Sequence, residues 1–188
     1  MTGVQTCALP ISVLTAGSNV LYAGTATSTN TVAATDKMTV SLIREAVTEL
    51  RTNKALPRIG ELYAAYLHPR QTADLRAETG TGGFQELSKY VDRTPFVAGA
   101  VGVIEGAFVV ETPRVPYAAN SASVNVYKAV VAGREALAEA MGQDISTVIG
   151  PQIDALRRFH TIGWYYFGGW SLLRQAAIYR LETAASNG

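Results

Sequence analysis

The sequence predicts an α+β fold, and three observations lead to that class. Apolar residues recur with a helical period in residues 39–53, which indicates one amphipathic helix. Short apolar segments typical of strands occupy residues 62–67, 101–112 and 124–131. Helices and strands follow one another without the regular alternation that indicates a parallel sheet, so a mixed α+β domain is expected.

The composition is that of a globular protein, since 16% of the 188 residues are charged and 48% are apolar. Sixteen basic residues stand against fifteen acidic ones, and the only adjacent basic pair is Arg157–Arg158. This balance argues against a dedicated nucleic-acid-binding surface. The single cysteine, Cys7, allows neither an internal disulfide nor a thiolate metal cluster.

The first twelve residues, MTGVQTCALPIS, lack charge, helical period and strand alternation. No basic residue precedes Lys37, so the segment is not a secretory signal. It resembles the translated read-through of a sequencing-library adapter. We therefore expect residues 1–12 to be an artefact and the native chain to begin upstream of Val13.

The first elements of the fold follow from turn residues and apolar spacing. Residues 13–36 predict a loose hairpin or an extended connection, because a Gly-Ser-Asn turn separates two short apolar pieces. The helix over 39–53 would start at a cap formed by Thr39 or Asp36. Its buried face is predicted from steps of three and four residues to contain Leu42, Ile43, Ala46, Val47 and Leu50.

A strand over 62–67 and a short helix are expected next. Pro69 suits the first helical turn, where its missing amide costs nothing, and the helix should continue to about Glu78. Residues 79–83 (TGTGG) predict a flexible loop. Two strands joined by a turn at Glu105–Gly106 then follow.

The last third predicts a strand over 124–131, a helical stretch around Glu135, and a closing strand at 178–182. Between them lies the most apolar run, residues 161–173, whose 13 residues fall short of the about 20 that a membrane-spanning helix needs. We expect a buried strand followed by a turn. Alternation would place Trp164 and Tyr166 on one face and Tyr165 and Phe167 on the other, as in a core or a subunit interface; a base-stacking platform is the less favoured interpretation.

No catalytic or metal-binding pattern is visible, so we expect no catalytic residues, cofactor or metal. The two histidines, His68 and His160, are 92 positions apart, unlike the closely spaced ligands of a zinc site. TGTGG lacks the Lys-Ser/Thr of a phosphate-binding loop, and residues 99–106 do not match a dinucleotide fingerprint. Glu105 and Glu111 flank a turn, so the alternation of side chains in a strand does not place them on one face, and they are weak evidence for a catalytic acid/base pair. An enzyme using either histidine with Asp74, Glu105 or Asp154 remains an alternative.

Four segments in order resemble the major capsid proteins of tailed bacteriophages, with the podovirus-type branch most similar. They are LRTNKALP (50–57), ELYAAYLHP (61–69), GAVGVIEGAFVVETPRVP (99–116) and RRFHTIGWYYFGGWSLLRQAAIYRLETA (157–185). The resemblance covers nearly all of the chain after Val13. It implies the α+β tailed-phage capsid fold, with a peripheral and an axial domain.

The resemblance also implies which parts are present and which partners to expect. Residues 13–60 would belong to the peripheral domain, residues 61–156 mainly to the axial domain, and residues 157–188 again to the peripheral domain. The N-terminal arm, the extended loop and most of the spine helix cannot be placed, so a C-terminal fragment is expected.

The function implied is a non-enzymatic, self-assembling subunit of an icosahedral shell around packaged DNA, with an encapsulin-like compartment as an alternative. Its partners would be copies of itself in hexamers and pentamers, scaffolding, portal and decoration proteins, and packaged DNA; no membrane partner is expected. Its location would be the virion, after assembly in the bacterial cytoplasm.

Overall fold

The computed structural model describes residues 11–79, 102–152 and 160–186. Three α-helices occur in this part of the chain: α1 (Ile11–Leu14), α2 (Val40–Thr52) and α3 (Pro69–Ala77). The strands are β1 (Val20–Tyr22), β2 (Tyr63–Leu67), β3 (Val103–Ile104), β4 (Ala107–Glu111), β5 (Tyr117–Ala119), β6 (Asn125–Ala132), β7 (Leu137–Gln152), β8 (His160–Leu172) and β9 (Ile178–Thr183). Two 3₁₀ turns span Thr29–Thr31 and Gln175–Ala177. The α+β class is therefore confirmed.

Seven of these strands form one mixed sheet in the order β1-β9-β6-β2-β4-β3, with β5 pairing on β6. Strands β1 and β9 run parallel with Leu21 opposite Leu181, although they are separated by most of the chain. Strand β6 pairs antiparallel with both β9 and β2. The two ends of the described chain therefore lie side by side at one edge of the sheet.

Helix α2 covers the sheet and confirms the strongest helix prediction. All five positions of the predicted apolar face are buried, and Leu50 and Ile43 are completely so. The Thr39 side chain accepts a hydrogen bond from the Leu42 amide at 3.3 Å, which satisfies one of the free amides of the first turn. The N-cap is therefore Thr39, and Asn53, where the helix was predicted to end, is the C-cap.

The core lies between α2 and the sheet. Every residue of β2 is buried, and the Tyr63 hydroxyl donates to the carbonyl oxygen of Ala55 at 2.8 Å. The strand predicted for 62–67, the helix beginning at Pro69, the Glu105–Gly106 turn and the closing strand are all present. Glu105 and Gly106 both have positive φ, as a tight two-residue hairpin turn requires.

Two expectations for local structure were wrong. Residues 13–36 form a helical turn, a strand and a 3₁₀ turn, and β1 pairs with β9 instead of with a neighbouring segment. The helical stretch expected around Glu135 is a turn followed by the sixteen-residue strand β7. Glu135 itself has φ of +64°, which is left-handed backbone that cannot continue a helix. The loop predicted for 79–83 lies outside the described residues from Gly80 onward, as do residues 1–10.

Within the described part of the chain, no helix has the length and apolar character needed to cross a membrane.

Candidate functional site

The most unusual feature of the structure is a two-stranded antiparallel ribbon that leaves the main sheet. It consists of β7 and β8, and we call it the long hairpin (residues 137–152 and 160–172). Leu137 opposes Leu172 at its base, where both side chains pack against the core. Beyond that base, neither strand pairs with the seven-stranded sheet.

The pairing register divides the side chains of the long hairpin between two faces, because residues directly opposite each other share a face and neighbours alternate. The first face, here the Trp164 face, carries mainly large apolar side chains: Met141, Ile149, Ile162, Trp164, Tyr166 and Trp170, with Thr147 and Glu139. The second, here the Phe167 face, mixes large and small residues: Ala140, Gln143, Val148, Gly163, Tyr165, Phe167 and Gly169. The alternation predicted for the aromatic run therefore agrees with the register.

Both faces are open to solvent. Phe167 is 74% exposed, Ile162 is 72% exposed and Trp164 is 59% exposed. Nine of the fifteen large hydrophobic residues that are exposed in the described chain lie in the long hairpin. The expectation of a buried strand over 161–173 was therefore half right: the strand exists, but its side chains are not in the core of the chain.

Cross-strand contacts hold the two strands together. The Gln143 side-chain amide donates to the Tyr165 hydroxyl at 2.8 Å on one face, and the Tyr166 hydroxyl donates to Glu139 at 3.1 Å on the other. A Cβ added at Gly142 would overlap the Phe167 ring, so the missing side chain lets that ring lie over the strand. An isolated two-stranded ribbon is only marginally stable in water. These contacts alone do not explain why the chain presents so much apolar surface.

His68 and the described acids considered at the sequence level lie outside the long hairpin and have structural partners. His68 lies just before α3, and its Nδ1 accepts from the Arg70 amide at 3.2 Å. Its ring lies 4.8 Å from that of Tyr127, between centroids. Burial lowers the pKa of His68 below its usual value, and the neighbouring Arg70 cation lowers it further, against a smaller opposite effect of Glu111. A neutral ring that accepts a helix-capping bond is the result.

His160 stands at the start of β8 in the long hairpin, so the structure does not unite it with His68 in one site. The acids considered at the sequence level that the structure describes each have a partner of their own. Asp74 binds Ser186, Glu105 pairs with Arg44 at 2.9 Å, and Glu111 accepts from the Thr72 hydroxyl. The hydrogen bond from Arg44 lowers the pKa of Glu105. Asp154 lies outside the described residues.

Glu105 and Glu111 therefore contact different groups and do not form the acid/base pair considered from the sequence. Among the residues that the structure describes, no group of three or more His, Cys, Asp or Glu side chains is placed to hold a metal ion.

The length of the hairpin is what sequence reasoning missed. The signal was present in residues 145–149, ISTVI, where four of five residues are β-branched and favour a strand. The preceding ALAEAM has strong helix formers, and these dominated the prediction for this stretch.

The sequence family described as "Phage capsid protein" matches residues 11–177. The chain belongs to this phage capsid protein family. A comparison with curated proteins gave no match.

Solved capsid structures share the fold. The capsid protein of Ralstonia phage GP4 superposes with a TM-score of 0.68 at 19% identity, over 89% of this chain and 52% of that one. The capsid of cyanophage Pam1 superposes with a TM-score of 0.68 at 15% identity, over 95% of this chain and 56% of that one. The capsid of Helicobacter pylori bacteriophage KHP30 superposes with a TM-score of 0.65 at 16% identity, over 92% of this chain and 64% of that one. The chain thus spans between about half and two thirds of these relatives.

These matches confirm the resemblance to tailed-phage capsid proteins and the α+β capsid fold. The adapter origin of residues 1–12 and the fragment status of the chain stay predictions.

Proposed function

We propose that this chain is a structural subunit of an icosahedral bacteriophage shell that encloses packaged DNA. The observation that carries the proposal is the long hairpin, which exposes apolar side chains on both faces in a chain of the phage capsid protein family. Contiguous exposed apolar surface on a folded protein marks a site of association. A non-enzymatic role agrees with the separate structural partners of His68, Asp74, Glu105 and Glu111.

A shell explains why both faces need covering. Closed assemblies of identical chains repeat heterologous contacts, in which one surface of a copy meets a different surface of the next. A ribbon with two apolar faces can lie between two neighbours and lose its exposed surface to both. Hexamers and pentamers of this chain are the expected assemblies.

The other partners follow from this role. Scaffolding, portal and decoration proteins and non-specific contact with DNA are part of the proposal, as are location in the virion and assembly in the host cytoplasm. The near-neutral charge of the chain limits long-range repulsion between copies and is compatible with dense packing.

The division into domains is proposed on the same basis, with residues 61–156 mainly axial and residues 13–60 and 157–188 peripheral. Strands β1 and β9, from the two peripheral ranges, pair in the same sheet as β2, β4 and β6. The boundary would then run through a shared sheet.

The direct test is to produce the intact protein, alone and with a scaffolding protein, and to examine it by negative-stain microscopy and light scattering. Capsomers or shells are expected. A Phe167→Ser variant should reduce assembly because it removes an exposed ring from the hairpin. Phe108→Ser, a change at an exposed phenylalanine of β4, serves as the matched control. Monomers under every condition would refute the proposal.

A further inference from the structure

The base of the long hairpin is attached to the loop after α2 by two hydrogen bonds of different kinds. On the side where the chain enters the hairpin, the backbone amide of Arg134 donates to the carbonyl oxygen of Leu56 at 2.7 Å. On the side where the chain leaves it, Nη2 of Arg174 donates to the carbonyl oxygen of Asn53 at 3.2 Å. The entry is thus held through the backbone and the exit through a charged side chain.

The end of α2 explains why the Asn53 carbonyl accepts this bond. The Ala55 amide donates to the carbonyl oxygen of Leu50 at 2.9 Å. The Lys54 amide donates to that of Arg51 at 3.0 Å, and Lys54 has φ of +54°. This is the Schellman arrangement, in which a left-handed residue after the helix satisfies two of its last carbonyl groups. The carbonyl of the C-cap, Asn53, is then met by a cation from another element, which the partial negative charge at the end of a helix favours.

Asn53 is itself held to the main sheet. Its side-chain amide donates to the Tyr179 hydroxyl at 2.8 Å, and that hydroxyl donates to Glu49 at 3.3 Å. Tyr179 lies in β9, beside the central strand β6, and Glu49 lies in α2. Arg174 therefore binds a residue whose position is fixed by both the helix and the sheet.

Further contacts at the base are apolar or lie within the hairpin. Leu137 and Leu172 pack against the core, and α1 contacts β8. The Leu173 amide donates to the carbonyl oxygen of Ala136 at 3.1 Å, a bond that joins the two strands to each other. Apolar contacts are non-directional, whereas a hydrogen bond weakens steeply as its angle is bent. The bonds to the loop after α2 are therefore better suited to set the direction of the hairpin.

We infer that Arg174 is a positioning residue that sets the direction of the long hairpin relative to the main sheet. The amides of Gly133 and Arg134 fix the point at which the hairpin leaves the sheet, since Gly133 donates to the carbonyl oxygen of Ala177 at 2.8 Å. Rotation of the ribbon about that point would draw Arg174 away from the Asn53 carbonyl. The inference goes beyond the proposed shell function, because it concerns how a single chain presents its hairpin.

Distances between pairs of spin labels test the inference in the intact protein. Cys7→Ser removes the cysteine of this chain. One pair of labels is attached at Glu45→Cys, an exposed position of α2, and at Thr147→Cys, an exposed position of the hairpin. A second pair, Glu45→Cys with Ala118→Cys on β5, reports on the helix and the main sheet alone. Double electron–electron resonance gives the distribution of distances for each pair.

Arg174→Met retains much of the length of the side chain but removes its charge and its donors. The distance between α2 and the hairpin should shift and its distribution should broaden, while the distance between α2 and β5 should stay the same. Arg174→Lys, which retains a charged donor, should restore the wild-type distribution. Arg134→Met is the matched control and should change neither distance, because Arg134 makes its bond to Leu56 through the backbone and its side chain is exposed.

An unchanged hairpin distance in Arg174→Met would overturn the inference, since other contacts, including any made by further parts of the intact protein, would then hold the hairpin. An equal change in Arg134→Met would overturn it as well, and so would a change in both distances of Arg174→Met, because the whole fold would then have loosened. Light scattering on the wild type tests the proposed function separately. Assembly of the wild type together with an unchanged hairpin distance in Arg174→Met would overturn this inference alone.

Discussion

The Tyr166 hydroxyl donates a hydrogen bond of 3.1 Å to Oε1 of Glu139 and so connects the two strands of the long hairpin. The Tyr166 side chain reaches Glu139 by crossing over Gly168, and a Cβ at that position would overlap the end of its ring. The next residue, Gly169, is on the other face and has open space around it. Two adjacent glycines therefore have different roles, one set by packing and one not.

Gly168→Ala should loosen the hairpin, because the new methyl group displaces Tyr166 from Glu139. A cross-strand side-chain pair contributes about 0.2–1 kcal/mol, so backbone amides of β7 and β8 should exchange hydrogen up to about fivefold faster. Hydrogen-exchange mass spectrometry measures this. Gly169→Ala gains the same methyl group without the overlap and controls for the change in chain entropy. Equal exchange rates in the two variants would contradict the role given to Gly168.

Glu182→Gln should destabilise the whole fold. Glu182 is fully buried in β9, its Oε1 lies 2.8 Å from Nε of Arg180, and its Oε2 accepts from the Thr29 hydroxyl at 2.6 Å. The Arg180–Glu182 contact is an ion pair without hydrogen-bond geometry, so charge neutralisation is its main contribution. Removing one member of a buried pair leaves the other uncompensated and costs about 3 kcal/mol.

Urea denaturation followed by circular dichroism would measure that loss. Glu45→Gln makes the same chemical change at an exposed position of α2 and should stay within about 0.5 kcal/mol of the wild type. A loss of unfolding free energy for Glu182→Gln no larger than that for Glu45→Gln would show that the buried pair does not stabilise the fold.

Acidification should weaken the fold through His68. Burial lowers the pKa of His68 in the folded chain below its ordinary 6.5, with Arg70 adding to the effect, so the unfolded chain binds the proton more readily. The stability that the neutral His68 contributes is therefore fully present above about pH 6.5 and is lost as the pH falls through the pKa of His68 in the folded chain. Protonation also removes the Nδ1 acceptor of the Arg70 amide.

The variant His68→Asn retains a side-chain acceptor for this cap but does not titrate. Its unfolding free energy, measured between pH 7 and pH 5, should fall less than that of the wild type. His160→Asn makes the same substitution at an exposed position of the long hairpin and serves as the control. Parallel pH profiles for the wild type and His68→Asn would rule out this role of His68.

The sequence predicted best where local chemistry decides the structure. The apolar spacing and Thr39 were enough to predict helix α2, and Glu105 and Gly106 were enough to predict the turn between β3 and β4. The parallel pairing of β1 with β9 could not be predicted, because no local pattern links residues so far apart. The helix predicted around Glu135 was wrong for another reason, because pairing with β8 overrides the helix propensity of ALAEAM.

For the long hairpin, the sequence could not predict whether its apolar side chains are buried. The aromatic run at 164–170 was predicted for a core or an interface, and the sequence could not separate the two, because an apolar strand has the same pattern in either place. Only the fold reveals that β8 leaves the sheet and that its side chains are uncovered. The surface that the fold exposes could therefore not be seen in the sequence.

Assembly should be visible in the intrinsic fluorescence, because the chain has two tryptophans and both lie in the long hairpin. Trp164 is 59% exposed in the single chain, whereas Trp170 is already partly covered. Burial of the Trp164 face against a neighbour transfers this indole from water to an apolar contact, as is common for tryptophan at interfaces. The emission maximum should therefore shift to shorter wavelength as concentration rises through the assembly range. The shift should persist in Trp170→Phe, where Trp164 is the only reporter, and should largely disappear in Trp164→Phe. Assembly seen by light scattering with an unchanged Trp164 spectrum would place this face outside the contact.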